Sequence, residues 1–150
     1  MVNPDLMRHI KKLNQRVGRA EVKAPIVQLT GTFVPTYEGA TTAGVTTYTT
    51  QSGHYWLFGP LCIVRAELNW TAATGTGNVV LGGLPFAASQ TVAFAVMTNN
   101  VTFPNSGVQG LLSGGDQVAR LFSPITNAAS PQLTIEAAGI IRYTIVYPVV

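Results

Sequence analysis

The sequence predicts an all-β fold, a jelly-roll-like β-sandwich that follows a short N-terminal α-helical arm. After Pro25 apolar residues alternate with polar ones or form short runs, and clusters of Gly, Pro, Asn and Ser separate these runs. No segment after Pro25 repeats its apolar residues with the helical period, whereas residues 3–18 do. We therefore predict a helical arm and linker over residues 1–25 and a β-sandwich domain over residues 26–150, long enough to bury a core without disulfides.

The signals for the helix lie at both of its ends. Asn3 is a favourable N-cap, Pro4 suits the first helical position, and Asp5 complements the positive end of the helix dipole. Gly18 is typical of a C-terminal stop. The sequence thus predicts a helix over residues 3–18.

One side of this helix carries an apolar seam with heptad spacing. The seam consists of four residues separated by 4, 3 and 4 positions: Leu6, Ile10, Leu13 and Val17. Leucines at d with Ile and Val at a would by themselves favour two strands. A helix this short is marginal alone, so the seam needs a partner. Two alternatives stay open, namely the chain's own β domain, or the arms of other copies or another protein.

The arm also carries most of the positive charge. Six of the nine Lys and Arg residues precede residue 24, namely Arg8, Lys11, Lys12, Arg16, Arg19 and Lys23. Asp5 and Glu21 oppose them, so the arm has a net charge of +4, whereas the remaining three arginines and four acids give −1. These six residues are the predicted contacts with an acidic protein surface. Nucleic-acid binding is not expected, because the charge is modest and no aromatics are interleaved.

The β domain is predicted to contain ten strands. They cover residues 26–33, 45–50, 54–58, 61–70, 78–81, 91–97, 108–112, 117–122, 132–137 and 140–147. Within 61–70, one face holds Cys62, Val64, Ala66, Leu68 and Trp70. Near the C-terminus, Tyr143, Ile145 and Tyr147 lie opposite Arg142 and Thr144. Turns are predicted at Ser52-Gly53 and, as a hairpin, at 75–78.

Composition and charge bear on the surroundings of the protein. Charged residues make up 10% of the chain, against about 25% in typical domains, which indicates that partners cover much of the surface. Cys62 is the single cysteine, so an intrachain disulfide is impossible, which fits assembly in a reducing cytoplasm. No secretory signal is expected, and no apolar run reaches the roughly 20 residues of a membrane span.

The residues that could carry catalysis are few and scattered. His9 and His54 have no second His, Cys or carboxylate at metal-ligand spacing. Cys62 is expected to pack as a small hydrophobe, and His54 as a half-buried strand residue. We therefore predict no catalytic, cofactor-binding or metal-binding residues and no enzymatic activity.

The segment from Phe33 to Phe86 contains a recognisable order of motifs. Tyr48 begins a Tyr-x-x-Gln-x-Gly-x-Tyr pattern, a long strand ends at Asn69-Trp70-Thr71, and Gly83-Leu84-Pro85-Phe86 follows. This order resembles a β domain of tailed-bacteriophage virion proteins, including capsid decoration (cement) proteins, head fibres and tail-fibre ends. The motifs consist of turns and core aromatics, so they specify a fold more than an activity.

The resemblance implies a homotrimer on the surface of a virion, assembled in the host cytoplasm. A compact decoration protein, which bridges major capsid proteins and stabilises the capsid, is favoured because the arm is short for a fibre. The arm would then contact the capsid or sister arms. The alternative is a receptor- or glycan-binding domain of a phage fibre that uses Tyr37 or Trp56. A depolymerase is the third hypothesis, and the scarcity of clustered acids and histidines argues against it.

Overall fold

Nine antiparallel strands form one continuous sheet, and a single helix precedes them in the sequence. A computed structural model of the chain describes residues 4–21, 28–105 and 107–150, with the side chains of residues 15–21 excepted. The prediction of an all-β fold with a short N-terminal helix is confirmed. The division into domains at residue 25 stays a prediction, because residues 22–27 lie outside the described part of the chain.

The helix α1 spans Pro4–Glu21. It begins at the predicted Pro4 but continues through Gly18, so the predicted stop at this glycine is wrong. A glycine inside a helix costs about 1 kcal/mol relative to alanine, which weakens a helix without ending it. The residues around Gly18, Arg16 and Arg19 among them, are sufficiently good helix formers to extend α1 by almost another turn.

The strands have the following bounds. They are β1 (Gln28–Phe33), β2 (Thr36–Gly39), β3 (Thr46–Phe58), β4 (Leu61–Ala73), β5 (Val79–Gly82), β6 (Val92–Asn99), β7 (Gln109–Leu112), β8 (Ala119–Phe122) and β9 (Gly139–Pro148). Their order across the sheet is β1-β3-β4-β9-β6-β7-β8-β5-β2.

Strand β6 divides this sheet into two layers. Its first half pairs with β7 and its second half, from Val96 to Asn99, pairs with β9. We call β1, β3, β4, β9 and the second half of β6 layer A, and the remainder layer B. A sheet that bends in this way can place two faces against each other and enclose a core.

Alternating residues of both layers fill that core. On β4 the face that holds Cys62, Val64, Ala66, Leu68 and Trp70 is buried, and on β9 Tyr143, Ile145 and Tyr147 are at most 3% exposed. Layer B contributes Val79, Leu81, Leu112, Ala119 and Leu121. The faces predicted from alternation are therefore confirmed for both strands. Burial of each large side chain stabilises the fold by about 1.5–3 kcal/mol.

Hydrogen bonds from side chains connect β2, the strand at the end of the sheet order, to β3. The Tyr37 amide donates to Tyr48 Oη at 2.7 Å, and Thr46 Oγ1 donates to the Tyr37 carbonyl at 2.8 Å. Gln51 Nε2 donates to the Pro35 carbonyl at 2.9 Å. Strand β2 pairs with β5 on its other side, so both the amide and the carbonyl of Tyr37 on the edge facing β3 have side-chain partners. Among the described strands, β1 keeps one edge unpaired.

Strand β3 runs without interruption through Ser52 and Gly53, so the predicted turn and the split into two strands are wrong. Gly53 is buried and pairs with Phe33. A Cβ at this position would lie 2.8 Å from the Phe33 ring and 2.7 Å from its carbonyl oxygen. The glycine is required here for close approach of an aromatic ring, which the sequence does not distinguish from a turn.

Two further predictions differ from the structure. The 75–78 loop is not a hairpin, because it connects β4 in layer A to β5 in layer B, and it pairs with an earlier loop through a Thr42–Thr76 bridge. The predicted strand 132–137 forms only isolated bridges, from Gln132 to Phe122 and from Thr134 to Asn78. The short strand β2 was not predicted, because its four residues show no clear alternation.

Candidate interaction surfaces

The helical arm presents its apolar seam to solvent. Leu6 is 55% exposed, Ile10 43% and Leu13 51%, and the adjacent Met7 is 47% exposed. Within the described residues, α1 makes no contact with any strand. The alternative in which the seam packs on the chain's own β domain therefore finds no support in this part of the chain. Val17 belongs to the helix, but its side chain lies outside the described ones.

The predicted basic contact residues fall into three groups. Arg8, Lys11 and Lys12 lie on α1 with exposed side chains. Arg16 and Arg19 lie on α1, with side chains outside the described set, and Lys23 lies outside the described residues. The described part of the arm therefore combines an exposed apolar stripe with exposed cations on the rest of its circumference.

The outer face of layer A is the second candidate surface. Its side chains form rows across neighbouring strands: Met97, Arg142, Glu67 and Ser52 in one, Thr144, Arg65, His54 and Thr32 in the next, and Val146, Ile63, Trp56 and Thr30 in a third. One polar row thus lies directly beside an apolar row.

Electrostatics on this face are organised around one ion pair. Arg142 Nη2 lies 2.7 Å from Glu67 Oε1. The hydrogen bond from Arg142 lowers the pKa of Glu67, and Arg65 adds a smaller effect in the same direction. Arg65 itself forms no ion pair within 4 Å among the described residues. An exposed guanidinium therefore lies beside His54 and next to the row that contains Trp56.

An open depression of about 390 Å³ lies over the polar row. It is lined by Ser52, His54, Trp56, Arg65, Ala66 and Glu67. A half-exposed indole next to polar side chains can stack on a flat apolar ligand face and hydrogen-bond its rim. His54 is exposed, so the prediction that it is half-buried is wrong. It points outward because strand alternation places its neighbour Gly53 inward.

Tyr37 cannot serve as an exposed ligand-binding aromatic, and that prediction is wrong. Its side chain is fully buried and its ring stacks on Trp70 with a centroid separation of 4.1 Å. Burial raises the pKa of Tyr37 to about 12. Its hydroxyl accepts a hydrogen bond of 2.9 Å from the Glu136 amide. Of the two candidate aromatics, Trp56 alone remains accessible.

Residues with chemical reactivity are dispersed. Among the described residues, no three His, Cys, Asp or Glu side chains are close enough together to hold a metal ion. Cys62 is fully buried, and burial raises the pKa of its thiol. It therefore packs as a small hydrophobe, as predicted. No described helix is both long and apolar enough to cross a membrane.

Comparison with solved structures shows a likeness of fold to part of a phage protein. The fold is shared with part of the Dettilon tailspike protein (gp208), whose crystal structure superposes with a TM-score of 0.57 at 18% sequence identity. The alignment covers 78% of this chain and 23% of the tailspike, so the chain corresponds to less than a quarter of that protein. No protein-family model and no curated sequence matches the chain.

Sequence reasoning missed the juxtapositions that build the outer face. Alternation could place Glu67, Arg65 and Arg142 on outward positions, but not next to each other. Their proximity depends on the pairing of β4 with β9, which are separated by four strands in the sequence. A single sequence contains no local signal for that pairing.

Proposed function

We propose that this chain is a non-enzymatic structural protein of a tailed-phage virion, which decorates the capsid as a homo-oligomer, expected to be a trimer, and bridges major capsid proteins. The observation that carries the proposal is the arm: an exposed, basic, apolar-striped helix that contacts none of the described strands. The sequence resemblance and the fold shared with part of a phage tailspike support the assignment to a virion.

An arm of this kind suits attachment. Burying Leu6, Ile10 or Leu13 against the capsid or against sister arms would contribute about 1.5–3 kcal/mol for each side chain. Arg8, Lys11 and Lys12 would complement an acidic protein surface and accelerate encounter. One arm alone would bind weakly, but several arms on one oligomer bind with high effective concentration.

The β domain suits the role of a rigid head. Its core is continuous between the layers, and side chains of β3 hold the last strand of the sheet. Among the described residues no three His, Cys, Asp or Glu side chains lie close together, and this supports a structural role. The low charge of the whole chain, 10% of residues, supports coverage of the head by partners.

The test is deletion of residues 1–23. The truncated protein is expected to fold and to lose binding to capsids that lack it, as measured by co-sedimentation. A matched control replaces Arg120 by Gln, which removes a cation from the head and leaves the arm unchanged; this variant should bind like the wild type. If the truncated protein decorates capsids normally, the attachment role of the arm is wrong.

A second function is favoured by one specific observation, the half-exposed Trp56 beside His54 and Arg65 over an open depression. Such a face is suited to a glycan, which would stack on the indole and hydrogen-bond the polar row. The chain would then recognise a host receptor. Binding to a panel of bacterial surface glycans that is abolished by Trp56→Ala, but not by Phe122→Ala on layer B, would favour this function over decoration.

A further inference from the structure

We propose that the arms of three copies associate through the seam as a parallel three-helix coiled coil, whose outer surface presents the cations of the arm. This inference rests on the proposed homo-oligomer and names the partner of the seam as a second and third copy of the same helix. It concerns the described helix residues 4–14 and their heptad positions.

The width of the apolar stripe indicates more than two helices. Leu6 and Leu13 occupy d, Ile10 occupies a, and Met7 occupies e, and all four are 43–55% exposed. A two-stranded coiled coil buries a and d alone, whereas bundles use a stripe widened at e or g. Met7, at e, widens the apolar stripe, and a third helix could bury this additional apolar surface.

The charges are arranged for contact between identical helices. Arg8 lies at f, Lys11 at b and Lys12 at c, all of them directed away from the seam. The flanking e and g positions of α1 hold Met7, His9, Asn14, Arg16 and Glu21, so the one cation beside the seam, Arg16 at g, falls opposite Glu21 at e of the next helix in a parallel bundle. Identical arms can thus meet without bringing lysines or arginines together.

Symmetry sets the direction of the helices. Three identical chains in a closed ring are related by a three-fold axis, which makes arms along that axis parallel. The connection from Glu21 to Gln28 can span no more than about 25 Å. The three β domains therefore gather at the C-terminal end of the bundle, and the basic outer surface of the arms extends away from them.

Cysteine cross-linking of the full chain tests the arrangement directly. In a parallel in-register bundle, each d position faces its own copies, so Leu6→Cys and Leu13→Cys should each form interchain disulfides under mild oxidation. Arg8→Cys, at f, is the matched control and should not cross-link. The native Cys62 is fully buried, so the wild-type chain should form no interchain disulfide under the same conditions.

The amount of cross-linking reports the number of helices. Three helices leave one chain in three without a partner, so disulfide-linked dimers should plateau near two-thirds of the chains on a non-reducing gel. Nearly complete conversion to dimers would overturn the three-helix arrangement in favour of two. Cross-linking at only one of the two d positions, or equally at Arg8→Cys, would overturn the parallel seam.

Capsid binding by the wild-type chain separates this inference from the proposed function. If residues 1–23 are needed for capsid binding but the d-position variants do not cross-link, the seam belongs to the capsid and the bundle is wrong. If cross-linking occurs as expected but the wild-type chain does not bind capsids, the three-helix bundle is supported and the proposed capsid-decoration function is wrong.

Discussion

Tyr37 and Trp70 stack across the interior with ring centroids 4.1 Å apart, and the two residues share a third partner. The Glu136 amide donates to Tyr37 Oη at 2.9 Å, and Trp70 Nε1 donates to the Glu136 carbonyl at 3.1 Å. This arrangement links β2, β4 and the segment before β9. It explains how residues 132–137 are held although they do not form a regular strand.

Removing the Tyr37 hydroxyl should destabilise the fold. Tyr37→Phe keeps the ring stack but leaves the Glu136 amide without its acceptor, at an expected cost of about 1–2 kcal/mol in the free energy of unfolding. Tyr37→Ala also removes the ring, and about 3–5 kcal/mol is expected. Urea denaturation monitored by tryptophan fluorescence measures both. Equal stability of the Phe variant and the wild type would contradict a role for this hydrogen bond.

The hydroxyl of Tyr143 differs from that of Tyr37 in its hydrogen bonding. Its hydroxyl is buried and is without a hydrogen-bond partner among the described residues. Burial raises the pKa of Tyr143, and the same desolvation penalises the neutral hydroxyl. Tyr143→Phe should therefore be neutral or stabilising by up to about 1 kcal/mol. Comparing the unfolding free energies of Tyr143→Phe and Tyr37→Phe separates the effect of a lost hydrogen bond from the effect of a lost tyrosine oxygen. A clear destabilisation by Tyr143→Phe would show that its hydroxyl has a hydrogen-bond partner.

Alkaline pH should weaken the fold through Tyr37. The pKa of Tyr37 is raised from 10.0 to about 12 by burial. Because the folded-state pKa is the higher one, the stabilising contribution is complete below pH 10 and is lost as pH rises toward 12. Unfolding free energies measured between pH 8 and 11.5 should fall less steeply for Tyr37→Phe than for the wild type. Parallel slopes would exclude Tyr37 as a cause.

Acidic pH should weaken the Glu67–Arg142 pair. Arg142 lowers the pKa of Glu67, so the contribution of the pair is fully present above the unfolded-state pKa of about 4.3 and is lost as pH falls through the lower folded-state pKa. Below pH 4.5 the unfolding free energy of Glu67→Gln should depend less on pH than that of the wild type. The difference between the two proteins should shrink in high salt. Asp116 forms an ion pair with Arg120 at 3.0 Å, and Asp116→Asn, which breaks it, serves as the control for general charge effects.

Gly53 should not tolerate a side chain. A Cβ there would meet the Phe33 ring at 2.8 Å, so Gly53→Ala should cost about 1–3 kcal/mol through displacement of β1 or of the ring. Gly107→Ala is the matched control, because no described atom beyond its own chain neighbours lies within 4 Å of its Cβ position. Thermal unfolding of both variants measures the difference, and equal melting temperatures would contradict the close approach of β1 and β3.

Local patterns explain which parts of the fold could be predicted. Alternation correctly grouped the side chains that share a face of β4 and of β9, because strand geometry alone fixes that grouping, but the packing of the two layers decided which face is buried. It failed at Gly53, where a glycine inside a strand looks like a turn, and at 75–78, where a turn-like sequence connects the two layers. In both cases the deciding contacts come from residues distant in the chain, Phe33 and Thr42.

The sequence alone determined the character of this protein: a helix with an apolar seam and basic flanks, followed by an all-β domain with few candidates for catalysis. These properties depend on composition and local periodicity, which are readable along the chain. The tertiary structure decided that Trp56 lies outside and Tyr37 inside, that Glu67 meets Arg142, and that the described seam is left uncovered by its own β domain. These outcomes depend on which strands pair and how the sheet bends, and long-range pairing leaves no local trace in a single sequence.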